Sequence, residues 1–206
     1  RSLLWALPAL SGTPEGGVTL QLDSSADIER IKAQLQVLDP LQQPALLEAP
    51  AHAVEGLGDQ HFELLVGRNL LQDADASTLQ SWVDQLETLL CAGAQVHLMG
   101  SHPSAGPAEL IDSGQSGLIE AEQRWLAERQ PLEQLQELLT TAGWCVSVEH
   151  WTDQVSLQVD SMLITRWFSE QATYRRWMQG QLGDEAITAL ATSYQRRLGT
   201  KLRQTI

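Results

Sequence analysis

Cysteine is nearly absent from this chain. Cys91 and Cys145 stand far apart, with no C-x-x-C pair and no histidine at zinc-ligand spacing. Neither a disulfide framework nor a structural zinc site is therefore indicated, and a reducing cytoplasm is the default setting. Long apolar runs are missing too, so no segment reaches the roughly 20 residues that a bilayer-spanning helix needs. Positive charge is scarce: 13 Lys and Arg face 26 Asp and Glu, a formal net charge of -13. That balance argues against a protein that coats nucleic acid over its whole surface and favours solubility. No G-x-G-x-x-G turn occurs, no G-x-S-x-G elbow, and none of His52, His61, His97, His102 and His150 has the i,i+4 partner of a zinc helix. What remains is 206 residues, 43% hydrophobic and 19% charged, with a mean hydropathy of -0.18. This is the composition of a soluble globule large enough to fold on one core.

The opening stretch from Ser2 to Leu10 is apolar on nearly all sides, which predicts a buried helix or a targeting segment. Arg1 to Gly12 imitates a secretory signal only crudely, and the commoner reading is a chain cut from something longer. Val18 to Leu22 then reads as a strand, and Asp23-Ser24-Ser25 as the cap of a helix in which Ile28, Ile31, Leu35 and Leu38 recur at helical steps. Asp39-Pro40 ends it. A second strand is expected over Pro44 to Glu48, followed by a loop to Gly58, and a third over Phe62 to Gly67, apolar enough to be covered on both faces.

Asp73 to Ser77 offers caps for a long helix carrying Leu79, Trp82, Val83, Leu86, Leu89 and Leu90, closed by Gly93. Ala94 to Met99 reads as a fourth strand. After a loop over Ser101 to Gly117 come two helices, about Leu118 to Glu128 and Leu132 to Ala142, the second closed by Gly143. Cys145 to Trp151 and Val155 to Val159 alternate like half-buried antiparallel strands. From Asp160-Ser161 a helical tail runs to about Leu198, broken near Ser169 and Gly180 to Gly183. Strands alternating with helices at this spacing predict one Rossmann-like α/β domain over 1–206, a mainly parallel sheet with helices on both faces and late antiparallel edge strands.

The run Gly16-Gly17-Val18 to Asp23, the phrase Phe62 to Leu71, and the helix ending Cys91-Ala92-Gly93 before Gln95-Val96-His97-Leu98 together resemble the class I S-adenosylmethionine-dependent methyltransferases over roughly residues 1 to 160. Leu3 to Leu7 with Pro14 to Val18, Val66-Gly67-Arg68-Asn69, and Leu163 to Phe168 carry a narrower similarity. It is to the methyltransferase-like extension fused behind some bacterial RarA-type (MgsA-type) AAA+ ATPases linked to replication and recombination. The resemblance implies a covalently linked AAA+ ATPase as partner and S-adenosylmethionine as the cofactor to test. It also implies a first strand upstream of Arg1, with the glycine-rich turn either cut away along with it or never present in this family member.

Asp23 can hold a ribose through two hydrogen bonds or can cap the helix that follows it. Gly67, Arg68 and Asn69 follow a strand at the carboxyl edge where open sheets bind ligands. Arg68 can grip a carboxylate or phosphate and Asn69 an amine or carbonyl, or Asn69 can close a turn while Arg68 pairs with Asp73 or Asp75. Glu48 and His102, at other strand ends, are weaker candidates, and His97 reads as a satisfied sheet residue. Were the chain active, methyl transfer would rest on in-line positioning, with Asp23 on the ribose and Arg68 or Asn69 beside the methyl or its acceptor. No general base, catalytic residue or metal ligand stands out, so a degenerate, non-catalytic accessory domain is expected, with an active methyltransferase on an unknown acceptor as the alternative.

Charge is uneven. Residues 161–206 carry seven basic and three acidic side chains, a net of +4, which leaves 6 basic and 23 acidic before them, a net of -17. The tail interleaves Trp167, Phe168, Tyr174 and Trp177 with arginines. Such aromatics can stack on bases or pack on the protein's own core, and packing is the expectation. DNA is then a weak possibility through this tail, and a membrane none.

Overall fold

Helical periodicity translates directly into helices where the apolar stripe is continuous. The computed structural model describes residues 7–13, 17–50, 53, 57, 61–71, 74–128 and 131–206. Its contacts fall into two compact units, Arg1–Met99 and Gly100–Ile206, where the sequence alone suggested one domain over 1–206.

The first unit holds two βαβ segments. Helix α1, Leu7–Gly12, begins where the described residues begin; the apolar residues before it lie outside them, and Ala9 and Leu10 are only half-buried. Strand β1 (Thr19–Leu22), helix α2 (Ser25–Leu35) and strand β2 (Ala45–Glu48) follow. The strands pair in parallel, with Leu22 opposite Glu48. A parallel pair needs a crossover, and α2 supplies it. Ile28, Ile31 and Leu35 are buried and cluster with Leu22, with Leu20, Leu38 and Leu46 packed against them. Beyond α2, Asp39 caps a 3-10 turn over Pro40–Gln42, its side chain accepting from the Leu41 N–H.

The second segment is β3 (Phe62–Arg68), α3 (Ala76–Leu89) and β4 (Leu90–Met99). Asp75 caps α3: its carboxylate accepts the Thr78 N–H at 2.8 Å, and that bond, with others from Thr78 and Ser77, holds the carboxyl below its usual range. Leu79, Trp82, Val83, Leu86 and Leu89 are at most 4% exposed, and each such side chain contributes roughly 1.5–3 kcal/mol by leaving water. The helix passes straight into β4. Gly93 has the positive φ, 82°, expected of it, but it lies four residues past the helix, where the β3–β4 register shifts between Phe62 and Leu64.

β3 is not covered on both faces. Leu64 and Val66, two apart and so on one face, are 47% and 54% exposed.

In the second unit come α4 (Pro107–Leu110), α5 (Ser116–Glu128), α6 (Pro131–Thr141), β5 (Gln154–Gln158), α7 (Ser161–Phe168), α8 (Thr173–Leu182), α9 (Asp184–Gln195) and β6 (Lys201–Thr205). The tail breaks where expected, at Ser169 and at Gly183, which takes φ 82°, and Gly143 closes α6 with φ 90°. Residues 145–151 are in no strand, despite their alternation, and no strand among the described residues pairs with them. β5 instead pairs antiparallel with β6, which lies past the expected end of the tail.

The observed class is thus mixed α/β, with two parallel pairs and one antiparallel pair. Among the described residues the strands form three two-stranded sheets rather than the single sheet that the alternation predicts. No helix of the described residues is long and apolar enough to cross a membrane.

Candidate functional site

The residues singled out from sequence fall into two groups at the carboxyl ends of the parallel pairs. Asp23 directly follows Leu22 of β1, and Glu48 ends β2 opposite that same leucine, so the two carboxylates share one strand-end edge. Both are exposed. The cap of α2 is Ser24, whose hydroxyl accepts the Asp27 N–H at 3.2 Å; Asp23 stands one position outside it.

Gly67 and Arg68 end β3, opposite Leu98 and Met99. Asn69 follows with φ 53°, a left-handed conformation in which asparagine is the best tolerated residue after glycine. Its N–H donates to the Met99 carbonyl of β4 at 2.8 Å, which carries the β3–β4 ladder one bond beyond Arg68. No strand ladder joins the Asp23–Glu48 edge to the Gly67–Asn69 edge. Asp75 is engaged as a helix cap, and Asp73 lies outside the described residues.

Gly67 shows what occupies its edge. A Cβ built there would stand 2.9 Å from Leu98 Cδ2 and 3.2 Å from Leu70 Cδ2. The glycine is buried, and the space beside its Cα is filled by the chain's own leucines. The missing side chain thus allows close packing of Leu98 and Leu70 against this strand end.

His97 is exposed on β4, with Nε2 3.3 Å from Gln95 Oε1; His102 is exposed in the loop beyond. Cys91 and Cys145 are free, exposed thiols. No group of three or more His, Cys, Asp or Glu among the described residues is placed to hold a metal ion.

The most organised polar cluster was not anticipated. Glu122, on α5, is fully buried. Its Oε1 accepts the Ala108 N–H at 2.6 Å and the Tyr174 hydroxyl, and its Oε2 accepts the Glu109 N–H at 3.1 Å. Those two amides are orphan donors of the first turn of α4, whose cap, Gly106, has no side chain to offer. A Cβ at Gly106 would fall 2.5 Å from Glu122 Cδ, so the glycine is what admits the carboxylate. Tyr194 completes the arrangement by donating to the Pro107 carbonyl at 2.7 Å.

Burial pushes the Glu122 carboxyl up, against the opposing pull of its three hydrogen bonds, and Glu109 adds a smaller push. The Tyr174 hydroxyl is raised as well, first by burial and then by the adjacent Glu122. Trp125 and Tyr174 meet edge to face with centroids 5.3 Å apart, and Phe168 and Tyr194 lie 5.4 Å apart. The cluster is sealed, with donors matched to acceptors and no opening for a substrate, so its chemistry is structural.

A signal for it existed. Glu122 falls on the helical stripe Leu118, Ala121, Trp125 and Leu126, all buried, where a lone carboxylate requires partners. The tail aromatics answer likewise: Phe168 and Tyr174 are buried core residues, and Trp167 and Trp177 pack against them, so none is a free stacking platform. Compared with known proteins, the chain matches no family model, no curated protein and no solved structure.

Proposed function

We propose that this chain is an accessory, methyltransferase-like domain of a bacterial AAA+ ATPase linked to replication and recombination, cytoplasmic and non-catalytic, acting through interaction or regulation. In this reading the two βαβ segments are halves of a Rossmann-like sheet that has lost its cofactor pocket. The observation that carries it is Gly67: at the strand end where a nucleoside cofactor would need backbone access, Leu98 and Leu70 already fill the space. The exposure of Asp23 and Glu48 at their strand ends is compatible with a surface that meets a partner.

Isothermal calorimetry of the 206-residue chain with S-adenosylmethionine tests the reading. Absence of saturable heat is expected. Saturable heat that Asp23→Ala abolishes would overturn the lost-pocket reading and favour the active-methyltransferase alternative.

A further inference from the structure

We draw no further inference here: the strongest candidate, the open apolar face of the β3–β4 pair on which Leu64 and Val66 stand exposed, carries nothing because nothing in the structure shows what covers it.

Discussion

The Tyr174 hydroxyl donates to Glu122 Oε1, joining α8 to α5 across 52 positions of sequence, and the same carboxylate satisfies the first amides of α4. Three helices therefore meet at one buried acid. Replacing it with alanine would strand two backbone N–H groups and a phenol in an apolar core. Glu122→Ala should destabilise the chain by about 3–5 kcal/mol, the usual cost of removing one member of a buried charged set. Urea unfolding measures this, and a loss below about 1 kcal/mol would show that water replaces the carboxylate.

The same acid predicts a pH dependence. Its carboxyl is held above the ordinary value of 4.5 by burial, so the folded state takes up the proton more readily than the unfolded one. The stability it contributes is full below the unfolded value and is lost as pH rises through the folded one. Glu122→Gln is neutral throughout, so the stability of the native chain relative to this variant should be greatest at acid pH, below the ordinary value of 4.5, and decline as pH rises above it. A gap that widens with rising pH would mean that the three hydrogen bonds outweigh burial.

Tyr174 and Tyr194 separate the two halves of the cluster. Tyr174→Phe removes a donor to the buried Glu122 and should cost about 1–3 kcal/mol, whereas Tyr194→Phe, which frees only the Pro107 carbonyl, should cost about 1 kcal/mol. In a double-mutant cycle Glu122 should couple to Tyr174 by more than to Tyr194. Equal coupling would show that all three act as one unit.

The sequence displays much of this architecture where periodicity is unambiguous and little of it where pairing decides. α2 and α3 announce themselves because Ile28, Ile31 and Leu35, and Leu79, Trp82, Val83 and Leu86, keep helical spacing and are in fact buried. β6 is illegible: Lys201–Thr205 contains one apolar residue, Leu202, and becomes a strand only because β5 offers an edge. Residues 145–151 fail in the opposite sense, since alternation marks a strand but cannot supply its partner. For the candidate site, strand ends were readable, so Asp23, Glu48, Gly67, Arg68 and Asn69 lie at carboxyl edges. What fills the space beside Gly67 was not, because Leu98 approaches it from another strand.

Two glycines of the second βαβ segment should respond to alanine for different reasons. At Gly67 the new methyl meets Leu98 and Leu70 at 2.9–3.3 Å, so Gly67→Ala should cost about 1–3 kcal/mol through overpacking, and Leu98→Ala should relieve part of it. At Gly93 nothing lies within 4 Å of the added atom, yet φ is 82°. There the cost should be about 1–2 kcal/mol, from the left-handed backbone alone, and no neighbouring truncation should rescue it. Rescue at Gly93, or none at Gly67, would reverse the assignment.

Asp23 and Ser24 can be told apart by the same kind of comparison. Ser24 holds the Asp27 N–H as the cap of α2, so Ser24→Ala should cost about 1 kcal/mol. Asp23, one residue outside the helix, leaves that bond intact when replaced, and Asp23→Ala should cost less than Ser24→Ala in the same denaturant titration. The converse order would return Asp23 to the role of helix cap and withdraw it from the surface available to a ligand or a partner. The expected order leaves the capping of α2 to Ser24, with Asp23 beside Glu48 at the carboxyl edge of the β1–β2 pair.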